Sequence, residues 1–319
     1  MINYLYCFDT NYNIQALCSI YSLLQKSSEK INLEIIHNEP ESFKKIYKKI
    51  INHINLNNLN LHKFKNPGIE FPKLNGAHVS EATYYRLFIS KYISNDVDSL
   101  VYLDADIICY KDPSIEINKS IKDLLNSDKV ISVKTEQKIE GSNQEMFKRL
   151  SLESGSYFNA GVMLINFKKW NESNLTEPIL EKMKELEENI IFWDQDVLNS
   201  YFDGRYIELN NNLNYNLFLT ENNSKVKTSK KSENEMILIH YSGSYKPWTV
   251  RGAYNLSSYF YHQIYRELYK HNYHITSNWR VGSFIQLIRG ILNLNIFYIN
   301  RPVGFLIDSL KTITKKNER

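Results

Sequence analysis

The sequence predicts an α/β protein in which a mainly parallel sheet is flanked by helices. Apolar, strand-like runs at residues 2–8, 31–37 and 59–64 alternate with segments whose apolar residues recur at helical spacing. Such alternation is typical of parallel strands joined by right-handed crossovers. Ligands of such sheets bind beyond the carboxyl ends of the strands, so the residues that follow each strand are the first candidates for a site.

The remaining elements follow from periodicity and from polar boundaries. In the first predicted helix Leu17, Ile20, Tyr21 and Leu24 form one apolar face. The predicted helices cover residues 12–26, 41–54, 80–93, 176–189 and 256–271. Further strands are predicted at residues 99–103, 129–134, 161–166 and 236–241. The polar segments 141–156 and 221–235 are expected to form loops, the first of them partly helical.

Composition and charge exclude several classes of protein. A chain of 319 residues can bury a large core, and its net charge of +4 does not suggest a nucleic-acid partner. The cysteines Cys7, Cys18 and Cys109 lie far apart, which argues against a zinc module or a disulfide framework and favours a reducing cytoplasm. No basic signal-peptide region and no apolar run of about 18 residues is present.

Two acidic residues stand at the end of the predicted strand 99–103, in Leu103-Asp104-Ala105-Asp106. Side chains two positions apart in an extended backbone point to the same face, so the two carboxylates are expected to be neighbours. Neighbouring carboxylates raise each other's pKa, and a cation removes that cost. Oxygen ligands suit Mg²⁺ or Mn²⁺. Taken alone, this stretch could equally be a strand-end turn with two solvated aspartates.

Four other stretches place polar residues beside predicted elements. They are FDTNY (8–12), YFNAGVMLIN (157–166), DQDVLN (194–199) and HYSGSYKPW (240–248). Together with YLDAD (102–106), they resemble glycosyltransferase family 8, a family of retaining sugar transferases with the GT-A fold. The resemblance extends from residue 2 to residue 250, with the motifs in the family's order. It implies a Rossmann-like mixed sheet flanked by helices and followed by a C-terminal helical tail.

The resemblance implies a Mn²⁺ site, or alternatively a Mg²⁺ site, formed by Asp104, Asp106 and His240. The ion would bridge the diphosphate of a UDP-sugar donor and act as a Lewis acid on the departing UDP. Lys246 is expected to reach a phosphate, and Gly243 to let the backbone approach it. Taken singly, His240 could be a core histidine and Lys246 a surface lysine.

The resemblance also implies nucleotide contacts near the N-terminus. Asp9 suits the uracil edge, Asn11 suits the base or the ribose, and Tyr12 is expected to pack near the base. His78 and Ala105 are further expected nucleotide contacts. A helix cap is the alternative role of Asp9, and the two roles can coexist.

Contacts with the donor sugar are implied for Arg86, Asp104, Asn159, Asp194 and Gln195, whose polar groups can distinguish the hydroxyls of a hexose. The catalytic candidates are Gln195 and Asp194. Gln195 stands where a nucleophile is expected, although a neutral amide is a poor nucleophile. The resemblance therefore favours front-face internal return, in which the leaving phosphate helps to deprotonate the acceptor. A transient role for Gln195 or Asp194 stays open.

The predicted function is the transfer of galactose or glucose, with retention, from a UDP-sugar to a hydroxyl of a lipopolysaccharide, capsule or glycoprotein glycan. One alternative is a metal-dependent nucleotidyltransferase or hydrolase, which would need a glycine-rich phosphate loop that the sequence does not contain. The other is a non-catalytic carbohydrate- or nucleotide-sugar-binding protein derived from such an enzyme.

A basic tail, residues 272–319, follows the predicted catalytic domain, residues 1–271. Residues 276–319 hold seven Lys/Arg and two Asp/Glu, and their apolar residues recur at helical spacing. This composition suits helices that lie on an anionic membrane surface. The alternative is a helical pair packed on the catalytic domain or on a second copy of the chain. We expect a cytoplasmic protein that is peripheral on the inner face of the cell membrane. The tail residues that carry this prediction include Trp279, Arg280, Lys315, Lys316 and Arg319.

Overall fold

A seven-stranded mixed sheet forms the centre of the protein. The computed structural model describes residues 1–72, 80–219, 230–276 and 281–314. In chain order the described strands are β1 (Ile2–Phe8), β2 (Ile31–His37), β3 (Leu56–Lys63), β4 (Ser99–Leu103), β5 (Ile107–Cys109), β6 (Ile131–Lys138), β7 (Ser156–Asn166), β8 (Ile207–Glu208), β9 (Tyr215–Asn216) and β10 (Leu238–His240).

The large sheet has the spatial order β3-β2-β1-β4-β7-β6-β8. Strands β3, β2, β1 and β4 are parallel to one another, whereas β7 is antiparallel to both of its neighbours, β4 and β6. A second sheet of order β5-β10-β9 adjoins it. The predicted mixed, mainly parallel sheet is therefore confirmed. One consequence is that the carboxyl ends of β1 and β4 meet the amino-terminal half of β7 at one edge.

Helices cover the sheet on both faces. In chain order they are α1 (Asn13–Lys26), α2 (Pro40–Tyr47), α3 (Ser114–Leu125), α4 (Gln144–Arg149), α5 (Phe167–Glu172), α6 (Thr176–Leu186), α7 (Trp193–Phe202), α8 (Lys230–Glu235), α9 (Val250–Ala253), α10 (Tyr259–Tyr269), α11 (Val281–Leu292) and α12 (Pro302–Thr314). Along β1, Tyr4, Tyr6 and Phe8 enter one apolar cluster, and Leu5 and Cys7 enter the other. Because both faces of this central strand are covered, side chains of both faces are apolar.

The predicted strand before Asp104 is confirmed, whereas the extended backbone expected from Asp104 to Asp106 is wrong. Strand β4 ends at Leu103, where its last pairing is with Val162 of β7. The chain then turns, with the Ile107 amide donating to the Asp104 carbonyl at 3.3 Å, and resumes as β5 in the second sheet. Asp104 and Asp106 are therefore neighbours across a turn and not along an extended strand. The turn exists because β5 pairs with β10 and not with the large sheet.

Three predicted helices are shorter or more irregular than expected. The predicted helix 41–54 ends at Tyr47. The predicted helix 80–93 is a 3₁₀ segment, Glu81–Lys91, with a non-helical backbone at Phe88. Its aromatic residues pack on both Phe64 and Phe71. The predicted helix 256–271 begins as a separate 3₁₀ turn before α10.

The tail packs on the rest of the protein through one face of its helices. Leu287 of α11 and Phe305 of α12 are buried in a cluster with Tyr254 and Tyr273. Trp279, Arg280, Lys315, Lys316 and Arg319 lie outside the described residues, as does the segment 220–229. Among the helices that the structure describes, none has the combination of length and apolarity that crossing a bilayer requires.

Candidate active site

Asp104, Asp106 and His240 meet at the edge where β4 ends and the two sheets adjoin. One ligand atom from each lies within 4.8 Å of the others. His240 Nε2 is 3.3 Å from Asp106 Oδ1 and 3.8 Å from Asp104 Oδ2. The two aspartates come from the β4–β5 turn and the histidine from the last residue of β10, which pairs with Ile107. We call these residues, with Lys246, the cation cluster.

His240 is held against the backbone of β7. Its ring lies so close to Gly161 that a Cβ on this glycine would stand 2.2 Å from His240 Cε1. Side chains at that separation overlap, so only glycine fits beneath the ring. The Gly161 carbonyl also accepts a hydrogen bond from the Asp104 amide at 2.8 Å, so the β4–β5 turn is hydrogen-bonded to β7.

The carboxylate of Asp106 is buried and compensated by positive charge. Burial alone would raise its pKa, but Lys246 and His240 outweigh burial and hold the pKa of Asp106 well below its ordinary value. Lys246 Nζ donates to Asp106 Oδ2 at 2.6 Å and to the Tyr241 carbonyl at 2.5 Å. The other oxygen, Asp106 Oδ1, accepts no hydrogen bond from any residue that the structure describes.

These donor atoms fit a divalent cation. Two carboxylates and an imidazole form an oxygen and nitrogen set that suits Mn²⁺. The buried, unpartnered Asp106 Oδ1 faces His240 Nε2, so a cation between them would satisfy an oxygen that the protein leaves unbonded. The residues present are therefore consistent with the predicted metal site.

Asp104 links the cation cluster to a second group of charged residues. Its Oδ2 faces His240, whereas its Oδ1 accepts a hydrogen bond from the Tyr102 hydroxyl at 2.6 Å and lies 3.4 Å from Arg86. The Arg86 guanidinium stacks over the Tyr102 ring at 4.0 Å and lies 2.6 Å from Asp194 Oδ2. We call Arg86, Tyr102, Thr83 and Asp194 the arginine cluster.

Asp194 is a buried carboxyl with an unusual proton affinity. It is 1% exposed, and burial raises its pKa to about 6, although Arg86 and a hydrogen bond from the Thr83 hydroxyl favour the carboxylate. Arg86 also donates to the Ala160 carbonyl and lies near Asp104, so its charge is shared. A carboxyl with a pKa near neutrality beside an arginine is typical of functional sites.

Gln195 follows Asp194 in the first turn of α7, and both of its amide atoms are engaged. Its Oε1 accepts the Ala160 amide at 3.0 Å, and its Nε2 donates to the Tyr157 hydroxyl at 3.1 Å. Trp193, the first residue of the helix, has a left-handed φ of 46°. A non-glycine residue in this conformation is strained, and such strain is concentrated at functional sites. It directly precedes the two predicted catalytic residues.

The N-terminal turn lies beside the cation cluster. Asp9 caps the turn, since its Oδ1 accepts the Asn11 amide at 2.9 Å, while Asn11 itself is exposed. Burial raises the pKa of Tyr12, and the charges of Asp106 and Asp9 raise it further. The Tyr12 ring contacts Trp248 edge-on at 6.0 Å. The cap predicted as the alternative role of Asp9 is thus present.

Three other predicted residues have simpler surroundings. Ala105 is buried in the β4–β5 turn between the two aspartates. Gly243 has a φ of +85°, a conformation that favours glycine, so the loop after β10 depends on it. His78 lies outside the described residues.

Asn159 is buried at the centre of a polar network. Its Oδ1 accepts from the Gly161 amide at 2.9 Å and from Asn214 Nδ2 at 3.0 Å, and its Nδ2 donates to Glu136 at 3.3 Å. Asn214 in turn contacts His240 Nδ1 at 3.0 Å. Its predicted contact with the donor sugar stays a prediction.

Sequence reasoning missed Asn214, Thr83, Tyr102 and Gly161 as parts of the site. Asn214 lies in NNNLNYN (210–216), where a general excess of asparagine hides one functional amide. Gly161 carried a usable signal, because a glycine inside a buried strand marks the close approach of another group.

Comparison with known proteins identifies the family. The family described as "Glycosyl transferase family 8" matches residues 3–251 of the chain. The chain belongs to glycosyltransferase family 8. The family assignment made from the five motifs is thereby confirmed, and so is the GT-A fold that it implied.

Individual family members give the degree of similarity. The chain is 33% identical over 191 residues to a lipopolysaccharide 1,3-galactosyltransferase of Salmonella typhimurium, a match that covers 56% of this chain and 52% of the relative. It is 31% identical over 266 residues to a lipopolysaccharide 1,2-glucosyltransferase of Escherichia coli. That match covers 79% of this chain and 74% of the relative. The match with the first of these relatives thus spans about half of its length.

A solved structure shows the same fold. The crystal structure of the galactosyltransferase LgtC in complex with donor and acceptor sugar analogues superposes with a TM-score of 0.65 at 20% identity. The match covers 84% of this chain and 96% of that one. The mixed sheet described above is therefore the GT-A sheet of family 8.

Proposed function

We propose that this family 8 chain transfers galactose or glucose from a UDP-sugar to a hydroxyl of a surface glycan, with retention and with Mn²⁺ at the cation cluster. The observation that carries the proposal is the convergence of Asp104, Asp106 and His240 within 4.8 Å, although His240 is more than 130 residues from the aspartates. The relatives named above act on lipopolysaccharide with galactose or glucose, which supports a hexose donor and a lipopolysaccharide-like acceptor.

The cation cluster supplies the groups that a diphosphate needs. When bound, Mn²⁺ would supply Lewis-acid stabilisation of the charge that develops on the leaving UDP. Lys246 already stands at the cluster as an ammonium paired with Asp106. A cation on Asp106 would compete for the same carboxylate, so we propose that Lys246 then turns its charge toward a phosphate oxygen. The Asp9 turn and Tyr12 are proposed to hold the uridine, with His78 and Ala105 as further contacts.

The arginine cluster is proposed to hold the donor sugar. Arg86 and Asp194 present a fixed pair of donor and acceptor groups to a hexose, and Asn159 and Gln195 extend that surface along β7 and α7. A site that hydrogen-bonds specific hydroxyls rejects sugars that leave those groups unpaired. Galactose and glucose differ in the orientation of one hydroxyl, so this cluster is where we expect the choice to be made.

Retention is proposed to proceed without a covalent enzyme intermediate. The amide of Gln195 is a poor nucleophile, and both of its atoms are hydrogen-bonded. The carboxylate of Asp194 is occupied by Arg86 and Thr83. These contacts favour internal return, in which the acceptor hydroxyl attacks on the face that the phosphate leaves and gives its proton to that phosphate.

The test is UDP release by the full chain from UDP-galactose and UDP-glucose, with and without Mn²⁺. We expect one of the two sugars to be hydrolysed or transferred faster, and chelation to abolish the release. Activity of Asp106→Ala at the wild-type level would contradict the metal assignment. Failure of the wild type to bind UDP in calorimetry would favour the non-catalytic alternative.

The tail is proposed to bind an anionic membrane surface. Apart from the buried Leu287 and Phe305, α11 and α12 expose large apolar side chains, which are Phe284, Ile285, Ile288, Ile291, Leu292, Val303, Ile307 and Leu310, with Leu294 and Phe297 between the helices. Arg289, Arg301 and Lys311 accompany them. An apolar patch of this extent beside basic residues suits the boundary between lipid headgroups and acyl chains.

Point variants test the membrane proposal without exposing the buried cluster beneath the tail. Phe284→Glu combined with Phe297→Glu changes two exposed residues, and Ile54→Glu combined with Ile115→Glu is a control on exposed residues elsewhere. We expect wild type and control to sediment with anionic vesicles and the tail variant to remain in solution. Equal sedimentation of all three proteins would contradict the proposal, as would self-association of the wild type that the tail variant abolishes.

A further inference from the structure

A directional chain of hydrogen bonds runs from the β7 backbone to the imidazole of His240. It begins at the Gly161 amide, which can only donate, and this amide binds Asn159 Oδ1 at 2.9 Å. Asn214 Nδ2 donates to the same oxygen at 3.0 Å. The other amide atom of Asn214, Oδ1, then faces His240 Nδ1 at 3.0 Å.

The direction of this chain determines which nitrogen of His240 carries the hydrogen. Because the Gly161 amide requires an acceptor, Asn159 must present its oxygen at this point. Asn214 must therefore present its NH₂ group to Asn159 and its oxygen to the imidazole. An oxygen can only accept, so Nδ1 carries a hydrogen in the charged ring and in the neutral ring alike. Loss of the positive charge of the ring therefore leaves the lone pair on Nε2. That nitrogen faces Asp104 and Asp106.

We propose that Asn214 is a positioning residue that sets His240 in its metal-binding tautomer before a cation arrives. Asn214 touches neither aspartate in the contacts described above and acts through His240. Hydrogen bonds of this kind to metal-ligating histidines fix the tautomer and the orientation of the ring. The proposal rests on the proposed metal site, because a ring nitrogen without a hydrogen is useful there only if it binds a cation.

Burial of the three side chains leaves one possible orientation for the amides of Asn159 and Asn214. Asn214 is 0% exposed, Asn159 is 5% exposed and His240 is 4% exposed. Water is therefore a poor substitute for any of these bonds, and a reversed amide would oppose two oxygens at the Asn159 position. Glu136 closes the far end of the chain by accepting from Asn159 Nδ2 at 3.3 Å, so the orientation of Asn159 is fixed from both sides.

The experiment uses the full chain with ¹⁵N-labelled histidine. Nitrogen NMR at increasing alkaline pH, until the His240 signals no longer change, reports which ring nitrogen carries the hydrogen. His240→Gln assigns the signal. We expect the Nδ1–H tautomer in the wild type, where Asn214 Oδ1 accepts from the ring. We expect loss of that preference in Asn214→Leu, with a fall in Mn²⁺ affinity of about 10- to 100-fold.

Asn166→Leu is the matched control for loss of a buried asparagine. Asn166 is 3% exposed and accepts the Lys169 amide at the start of α5, so its loss lowers stability and leaves His240 unchanged. An Nε2–H tautomer in the wild type, or an unchanged tautomer in Asn214→Leu, would overturn the proposal. Failure of the wild type to bind Mn²⁺ while it shows the Nδ1–H tautomer would refute the metal site and leave the positioning role intact.

Discussion

The cation cluster and the arginine cluster are neighbours linked through Asp104, yet the pKa of the buried aspartate in each shifts in the opposite direction. Burial disfavours the carboxylate of both Asp106 and Asp194. In the cation cluster Lys246 and His240 face Asp106, and its pKa falls. In the arginine cluster Arg86 divides its charge between Asp194 and Asp104, and the pKa of Asp194 rises to about 6. The number of cations available to each carboxylate, and not burial alone, sets the direction.

The two clusters taken together contain fewer positive charges than carboxylates. Three carboxylates, on Asp104, Asp106 and Asp194, share the two permanent cations of Arg86 and Lys246. A divalent cation beside Asp104 and Asp106 would correct this imbalance and release Lys246 from its role as a counter-ion. The two clusters therefore form one site in which the carboxylates outnumber the permanent cations by one.

The largest expected effect comes from removal of a metal-binding carboxylate. Asp106→Asn should reduce UDP release about 1000-fold, because loss of several kcal/mol of Lewis-acid stabilisation costs a factor of ten per 1.36 kcal/mol. Asp112→Asn is the control, since Asp112 binds the Ser114 amide at the start of α3. Activity of the Asp106 variant within about tenfold of wild type would mean that the cation cluster does not carry the chemistry.

The opposite pKa shifts of the two aspartates predict opposite dependences of stability on pH. The folded pKa of Asp194, about 6, exceeds the ordinary value of 3.8, so the folded state binds the proton more tightly. Wild type should lose stability relative to Asp194→Asn as the pH rises from about 4 to 6, by about 3 kcal/mol at most. Asp106 has a lowered folded pKa, so wild type should lose stability relative to Asp106→Asn as the pH falls below 3.8.

Urea unfolding of the three proteins across this pH range measures both effects. Parallel curves for wild type and Asp194→Asn would show that Arg86 compensates Asp194 as fully as Lys246 and His240 compensate Asp106. The difference between the two clusters would then be one of geometry and not of charge.

The smallest expected effect is steric and concerns the support beneath His240. Gly161→Ala places a Cβ 2.2 Å from His240 Cε1, so the ring must leave its present position. We expect a loss of about 1–3 kcal/mol in the free energy of unfolding, and a weaker affinity for Mn²⁺. Gly141→Ala is the control, because a Cβ there meets no atom within 4 Å. Equal Mn²⁺ affinity in the two variants would show that the cluster tolerates displacement of the ring.

The order of the elements was accessible without coordinates because it depends on local patterns. Apolar periodicity placed β1, β2 and α1 close to their observed positions. The geometry of the Asp104–Asp106 pair was not accessible, because the turn between β4 and β5 depends on a second sheet built with β10. A strand that leaves one sheet for another has no local signature.

By itself, the sequence determined the alternation of strands and helices, the family motifs and the residue types able to hold a cation, since these are properties of neighbouring positions along the chain. Only the tertiary structure decided which partners each charge receives. Asp106 and Asp194 differ because Lys246 approaches one and a shared Arg86 approaches the other. Proton affinity in a buried site depends on groups that meet through folding, and those groups are distant in sequence.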